Sequence, residues 1–304
     1  MNKNFIVSNI KGGFGNQLFQ YATGLSVALR NNAVFMIDLS FFNNKDFQNA
    51  FRLNLLNLTY EIAEQEHYVH LKNSNSKRPF FYRGINKLKL RNKYNKKTHI
   101  FDSESFKPSK KIINATAPAY IEGWCTKEIY FKDYKSDLIK AFRPNFNLSH
   151  QASLLLDEIT KVNSIAIHVR RGDYVNNTIF YNLDEHYYNN AISYLEQNEN
   201  NLDYYLFSDD IDWCKKNIKL CKPINFINLK SINDNSSYKD IEEFYLMKNC
   251  KHNIIANSSF SWWAAYLNEN PNKIVIAPII WYKDMFYQKS LEKYSFIPKD
   301  WIIL

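Results

Sequence analysis

Short apolar runs alternate with helical patterns through the second half of the chain. Length and apolar composition predict buried strands at 165–169, 204–208, 224–228, 253–257 and 273–278. Helical periodicity separates these runs, at 183–198, 211–218, 238–250 and 259–268. This alternation predicts a parallel sheet covered by helices, as in a Rossmann-like unit.

The first half of the chain begins with the same alternation. A strand, a glycine loop, a helix and a second strand are predicted in turn at 5–10, 11–15, 16–30 and 33–38. Beyond residue 38 the pattern is less regular. We therefore predict an α/β protein with two Rossmann-like domains and a cleft between them, divided near 145–160.

The chain has 304 residues and a formal net charge of +9. Its length suffices for two domains, and its positive charge favours anionic partners such as nucleotides, lipid phosphates or nucleic acid. The four cysteines form no Cys-x-x-Cys pair, so neither a zinc site nor a disulfide framework is expected. No apolar stretch approaches the ~20 residues of a membrane span, and a cytoplasmic protein is expected.

Basic residues are concentrated in segment 70–98, and particularly in 87–97. Three interpretations stay open for this segment: a solvated loop, attraction to an anionic inner membrane, and nucleic-acid binding. The sequence contains no recognised nucleic-acid-binding motif, which disfavours the third interpretation.

Two adjacent arginines follow one of the predicted buried strands. Arg170 and Arg171 come directly after the run 165–169, and Gly172 permits a turn. Ligands of open α/β sheets bind at the carboxyl ends of strands, and guanidinium groups match phosphate oxygens. His168 lies on the same side of the strand as Arg170. An anion site is therefore predicted here, against the alternative of a surface ion pair.

Three other segments place polar groups at the ends of predicted strands. Glycines at 12–15 open a helix, where backbone N–H groups bind anions, although a tight structural turn explains them equally well. Asp209 and Asp210 are suited to bind a base or a ribose, or to cap the next helix. Ser258 and Ser259 are likewise suited to cap a helix or to contact a phosphate.

Several motifs resemble, in the same order along the chain, those of glycosyltransferase family 11, the α1,2-fucosyltransferases. The matching segments are GGFGNQLFQYATG at 12–24, HVRRGDY at 168–174, YYLFSDD at 204–210 and NSSFSWWAAYLN at 257–268. Further matches are LDEHYYNNAI at 183–192 and IAPIIWY at 276–282. Segment 121–131 matches the family pattern only loosely, with Cys125 and Thr126 in place of Gln-Ser.

The resemblance implies a GT-B architecture, with an acceptor-side domain at 1–150 and a donor-binding domain at 151–304. It implies GDP-β-L-fucose as donor, no obligatory metal, and transfer with inversion to O2 of galactose on an oligosaccharide or a lipid-linked glycan. It implies that Arg170 holds the β-phosphate, with Ser258 and Ser259 beside it, and that Arg171 also binds the donor. The other donor-binding residues that it implies are Gly13, Gly15, Asn16, His168, Asp209, Asp210 and Phe260.

Breaking the C1–O bond of such a donor leaves negative charge on GDP, which Arg170 is expected to stabilise. Asp173, Glu122 and Asp38 are candidates for the base that takes the acceptor proton, and Asp173 is preferred. Another GDP-sugar, or another fucosyl linkage, is the principal alternative. A weaker one is a metal-dependent transferase that uses Asp210-Ile211-Asp212 as a D-x-D motif.

Overall fold

The computed structural model describes residues 4–43, 50–72, 98–102, 106–220, 222–229 and 238–304. Contacts divide the chain into an N-terminal unit, Met1–Leu53 with Leu58–Ser136, and a C-terminal unit, Asn54–Asn57 with Asp137–Leu304. The division lies before the expected 145–160. The segment after residue 136 belongs to the C-terminal unit because Phe142 packs against Trp263, with ring centroids 5.3 Å apart.

The N-terminal unit contains a five-stranded sheet. Its strands are β1 (Phe5–Asn9), β2 (Val34–Asp38), β3 (Glu61–Ile62), β4 (His99–Phe101) and β5 (Ala119–Glu122). They lie in the order β3-β2-β1-β5-β4, and their pairings are parallel. The helices are α1 (Phe14–Arg30), α2 (Gln65–Tyr68) and α3 (Lys110–Ile113), and α4 (Lys135–Ala141) crosses the division.

The C-terminal unit contains a six-stranded sheet. Its strands are β6 (Asn163–Val169), β7 (Leu202–Ser208), β8 (Ile224–Ile227), β9 (His252–Ile254), β10 (Val275–Ala277) and β11 (Ile302–Ile303). They lie in the order β11-β10-β9-β6-β7-β8, again with parallel pairings. The helices are α5 (His150–Lys161), α6 (Glu185–Asn198), α7 (Ile211–Asn217), α8 (Lys239–Asn249), α9 (Ser259–Leu267) and α10 (Met285–Lys293).

The apolar composition of β6 is consistent with its central position in the C-terminal sheet, where both neighbours and the helices cover it. Ile165, Ile167 and Val169 are fully buried and pack with Tyr188 and Leu195 of α6 in one apolar cluster. Each such side chain contributes about 1.5–3 kcal/mol through its removal from water. A strand that is apolar along its length therefore needs helices against it, as the sequence pattern predicted.

Each sheet has one point at which the chain reverses its direction of strand addition. In the N-terminal unit this switch point lies between β1 and β5, and in the C-terminal unit it lies between β6 and β9. Loops diverge there at the carboxyl ends of the strands, and ligands of open α/β sheets bind at such points. The predicted α/β class with two Rossmann-like domains is confirmed.

The predicted elements of the second half are confirmed to within a few residues. The strand predicted at 253–257 ends at Ile254, because the chain leaves the sheet to form the loop before α9. Helix α1 begins at Phe14, two positions before the expected start.

Most of the basic segment, including 87–97, lies outside the described residues. In the described part of the chain, no helix has both the length and the apolar character needed to cross a bilayer.

Candidate functional site

Arg170 leads the loop that follows β6 and is held by two carboxylates. Its Nη2 atom lies 2.7 Å from Asp173 Oδ1, and its Nη1 atom lies 2.8 Å from Asp209 Oδ2. The side chains of Arg170 and Asp173 are 37% and 61% exposed. Exposed ion pairs contribute little stability, so the guanidinium can exchange these partners for an anion at small cost.

Asp209 connects the ends of β6 and β7. It accepts a hydrogen bond from the Arg171 backbone N–H at 2.8 Å, in addition to its contact with Arg170. Gly172 makes the close approach sterically feasible, since a Cβ atom there would lie 2.8 Å from Asp209 Oδ2. Asp209 therefore positions both the backbone and the guanidinium at the start of the loop.

Arg171 has a different environment from its neighbour. Its Nε atom donates to Asp210 Oδ2 at 3.1 Å, and its guanidinium lies 4.1 Å from the ring centroid of Trp213. Its side chain is only 13% exposed. The sequence analysis did not single out Trp213. Its position in the first turn of α7, directly after β7, is the feature of the sequence from which its contact with Arg171 could have been predicted.

Asp210 caps α7 by accepting the Trp213 backbone N–H at 3.1 Å, so the capping role considered from the sequence is confirmed. Its other oxygen binds Arg171, as described above. Among the described residues, no group of three or more His, Cys, Asp or Glu side chains is arranged to hold a metal ion.

His168 lies on β6 and is 7% exposed. Burial lowers its pKa to about 3, and the neighbouring charge of Arg170 adds to this effect. The imidazole is therefore neutral at pH 7. Its Nδ1 atom is buried without a hydrogen-bond partner among the described residues, and its ring lies 5.6 Å from that of Phe260. An unsatisfied buried nitrogen beside an arginine is a feature that a bound ligand would relieve.

The N-terminus of α9 lies across the C-terminal switch point from Arg170. Ile254 of β9 pairs with Ile167 of β6, so the loops that follow these strands are neighbours. The Tyr174 hydroxyl donates to the Asn257 carbonyl at 3.3 Å and joins the two loops. Tyr174 belonged to a recognised motif, but no contact was predicted for it.

Ser258 caps α9 by accepting the Phe260 N–H at 3.3 Å, and Ser259 is the first residue of the helix. The capping alternative considered for Ser258 is confirmed. The helix directs its positive N-terminal end towards the switch point, where an anion is favoured.

Large aromatic side chains hold α9 in place. Trp262 stacks on Tyr266, with ring centroids 4.8 Å apart, and lies 5.6 Å from Trp301. Trp263 packs against Phe142, and both tryptophans of α9 are fully buried. Both tryptophans therefore act in packing, and this packing fixes the direction of the helix end.

The glycine loop belongs to the N-terminal unit. Gly12 has a φ of +76°, a conformation that favours glycine, and Gly13 is the N-cap of α1. Gly15 and Asn16 lie in the first helical turn. Gln17 Nε2 donates to the Gly12 carbonyl at 2.9 Å and stabilises the turn. An approach of Gly13, Gly15 and Asn16 to a ligand stays a prediction.

The three candidate bases have different surroundings. Asp38 is 1% exposed, and burial raises its pKa, but hydrogen bonds, led by that from Tyr120 at 2.6 Å, outweigh this and keep the pKa low. A carboxylate so enclosed holds the sheet together. Asp173 is bound to Arg170. Glu122 is paired with His99 at 3.1 Å and retains 31% side-chain exposure.

Comparisons with known proteins agree with the motifs. The model of the family described as Glycosyl transferase family 11 matches residues 2–304. An alpha-1,2-colitosyltransferase of Escherichia coli is 35% identical, over 98% of this chain and 98% of its own. The O-antigen biosynthesis glycosyltransferase WbnK of Escherichia coli is 29% identical, over 90% and 94%.

Among solved structures, the fucosyltransferase NodZ from Bradyrhizobium aligns with a TM-score of 0.49 and 16% identity, over 87% of this chain and 92% of that one. The match of the family model spans almost the whole chain, and the arginine loop, the acidic strand end and the serine-capped helix lie within it. The chain belongs to glycosyltransferase family 11.

Proposed function

We propose that this glycosyltransferase transfers L-fucose from GDP-β-L-fucose to the 2-hydroxyl of a terminal galactose, with inversion at the anomeric carbon. The acceptor is proposed to be a precursor of a bacterial surface polysaccharide such as an O-antigen. The observation that carries the donor class is the C-terminal switch point. It combines an exchangeable arginine, a neutral histidine with an open nitrogen, and the N-terminus of α9.

Stabilisation of the leaving diphosphate explains how this site accelerates transfer. Arg170 and the N-terminus of α9 lie at adjacent strand ends, so both can contact the β-phosphate. Their positive charge is present before the reaction, and it interacts more strongly with the departing GDP than with the intact donor. The proposed reaction needs no metal ion, because this charge serves the same purpose.

Asp173 remains the proposed proton acceptor, and its contact with Arg170 adds a condition to that role. The same guanidinium cannot neutralise Asp173 and a diphosphate oxygen equally well. Donor binding therefore draws Arg170 away from Asp173 and leaves its carboxylate free to accept the proton of the acceptor hydroxyl. This order of events makes the base available only when a donor is present.

Colitose is the second candidate for the transferred sugar. It is the 3-deoxy analogue of L-fucose, and a full-length relative at 35% identity is an alpha-1,2-colitosyltransferase. A site that hydrogen-bonds the 3-hydroxyl of fucose rejects colitose strongly, whereas a site that leaves this position apolar discriminates weakly.

A cytoplasmic location of the enzyme stays a prediction.

The deciding experiment supplies the purified protein with GDP-fucose, GDP-colitose or GDP-mannose, with and without lactose, in EDTA, and measures release of GDP. Release that depends on lactose and prefers GDP-fucose is expected, and NMR of the product then reads the linkage. Transfer from GDP-colitose alone, or from GDP-mannose alone, overturns the fucose assignment. Loss of transfer in EDTA overturns metal independence.

A further inference from the structure

Trp124 is the one exposed tryptophan among the six of this chain, all of which the structure describes. It is 38% exposed, whereas Trp262 and Trp263 are fully buried and Trp213 is covered by Arg171. It is the second residue after β5, at the N-terminal switch point. A large aromatic ring left open at the position where α/β sheets bind ligands needs an explanation other than packing.

The backbone around Trp124 is held in an unusual conformation. Its neighbours Gly123 and Cys125 have φ values of +135° and +57°, and the second is rare for a residue with a side chain. Gly123 lies against the backbone of Asp102, where a Cβ atom would come within 2.6 Å of the Asp102 carbonyl oxygen. Left-handed residues persist where the surroundings determine them, and they concentrate at ligand sites.

A buried ion pair between Asp102 and Lys127 holds the loop that contains Trp124. Asp102 Oδ2 binds Lys127 Nζ at 2.7 Å and accepts the Cys125 N–H at 3.1 Å, and Tyr130 donates to Oδ1 at 2.8 Å. The side chains of Asp102 and Lys127 are 0% and 4% exposed. The backbone that carries the indole is therefore held by buried polar contacts.

An ammonium group lies over the exposed ring, and a carboxylate lies two residues before it in the chain. Lys11 Nζ lies 5.2 Å from the centroid of the Trp124 ring. Gly12 leaves room for that ring, since a Cβ atom at this position would lie 3.0 Å from Trp124 Cζ3. Glu122, two residues earlier on β5, binds His99 at 3.1 Å. This hydrogen bond and the charge of Lys11 lower the pKa of Glu122, so it is a carboxylate at neutral pH.

An aromatic face beside a carboxylate and an ammonium group is complementary to a pyranose. The C–H bonds on the lower face of galactose stack on an indole, and its hydroxyls hydrogen-bond to charged groups at the rim of the ring. We propose that the N-terminal switch point binds the acceptor sugar, with Trp124 as the stacking surface and Glu122 and Lys11 as partners of its hydroxyls. This inference rests on the proposed function for the identity of the sugar.

Kinetics of the intact enzyme test the stacking surface. With GDP-fucose saturating, Trp124→Ala is expected to raise the KM for lactose by about tenfold or more, because the stacked face is lost. The dissociation constant for GDP should stay unchanged. Trp124→Phe keeps an aromatic face and should recover most of the affinity. Phe286→Ala removes another exposed aromatic side chain, in the C-terminal unit, and should leave the KM unchanged.

Saturation-transfer NMR separates this inference from the proposed function, because it needs no reaction. Methyl β-galactoside and methyl β-glucoside are presented to the wild-type protein and to Trp124→Ala, whose fold is checked by circular dichroism. Saturation of galactoside protons that disappears in the variant supports the subsite, even if no GDP-sugar is turned over. If the saturation of galactoside protons, or the KM for lactose, is the same in Trp124→Ala as in the wild type, the subsite is overturned. This holds whether or not transfer from GDP-fucose is observed.

Discussion

The two switch points share a topology and differ in chemistry. In the C-terminal unit the loop after β6 carries a half-exposed arginine between carboxylates, opposite the N-terminus of α9. In the N-terminal unit the loop after β5 carries an exposed indole, with Lys11 of the loop after β1 5.2 Å from its ring centroid and Glu122 at the end of β5. One arrangement suits a diphosphate and the other suits a neutral ring with hydroxyls. The same fold thus offers two sites whose ligand classes are set by a few loop residues.

The ion pairs of the two switch points also differ in burial, and this separates their roles. Lys127 and Asp102 are enclosed by protein, whereas Arg170, Asp173 and Asp209 are partly open to solvent. Removal of one member of a buried pair leaves an uncompensated charge, while removal of one member of an exposed pair costs little. Stability should therefore depend on the first set and activity on the second.

Substitution Lys127→Ala should have the largest effect. It leaves the buried carboxylate of Asp102 without its cationic partner, and we expect a loss of about 3–5 kcal/mol in the free energy of unfolding. Urea unfolding measures the change. Lys161→Ala, which removes an exposed pair with Asp157, is the control and should cost no more than about 0.5 kcal/mol. Equal losses in the two variants would contradict the structural role of the buried pair.

Substitution Arg170→Ala should leave stability within about 1 kcal/mol of the wild type, because its ion pairs are exposed. It should lower kcat by about 100-fold or more if Arg170 stabilises the leaving diphosphate. The assay is GDP release with GDP-fucose and lactose. Arg143→Ala provides the matched control, since Arg143 is 53% exposed and only 3.9 Å from Glu269. Near-normal turnover in Arg170→Ala, with the fold intact, removes this residue from the mechanism.

Substitution His168→Gln should change how stability depends on pH. Burial holds the folded-state pKa at about 3, below the ordinary value of ~6.5, so only the unfolded chain binds a proton between these values. The stability associated with His168 is complete above pH ~6.5 and is lost as the pH falls towards 3, by about 1.4 kcal/mol per pH unit.

Urea unfolding between pH 6.5 and 4 should show this additional slope in the wild type and not in His168→Gln. His186→Gln replaces an exposed histidine and should retain the wild-type slope. Parallel profiles for wild type and His168→Gln would show that His168 is protonated in the folded protein at higher pH than its burial implies.

Substitution Asp173→Asn should have the smallest effect of these four substitutions, and it should strengthen GDP binding. Asp173 is proposed to compete with the diphosphate for Arg170, so its neutralisation should tighten GDP binding by up to about fivefold, measured by calorimetry. Transfer should nevertheless slow, because the proposed proton acceptor is lost. Asp157→Asn, in an exposed pair within α5, should leave both quantities unchanged. Weaker GDP binding in Asp173→Asn would mean that Asp173 holds Arg170 in its binding position.

The sequence indicated the C-terminal switch point more completely than the N-terminal one. His168 and Arg170 are two residues apart, so their common side follows from strand periodicity, and Asp209 ends the next predicted strand. The contacts that present Trp124 are not local: Asp102 and Lys127 are far apart in sequence, and the left-handed conformation of Cys125 has no sequence signal. Short strands such as β3 and β5 likewise have too few residues for their periodicity to be read.

The identity of the sugar lies beyond what residue patterns can specify. Fucose and colitose differ by one hydroxyl, and discrimination between them depends on a hydrogen bond to a single position. The motif residues are proposed to bind the diphosphate, which GDP-fucose and GDP-colitose have in common. Segment 121–131, where the family resemblance is loose, contains Trp124, so the proposed acceptor surface includes residues that depart from the family pattern, such as Cys125 and Thr126.

The aromatic packing of α9 gives residues that precede the last strand a part in the proposed anion recognition. Trp301 and Phe296 lie 5.6 Å and 6.3 Å from Trp262, one turn behind the helix end that faces the switch point. A smaller residue at position 301 would let α9 tilt, and a tilted dipole stabilises a leaving diphosphate less well. Searches for variants with altered turnover should therefore include Trp301, a residue whose distance from the chemistry would otherwise exclude it.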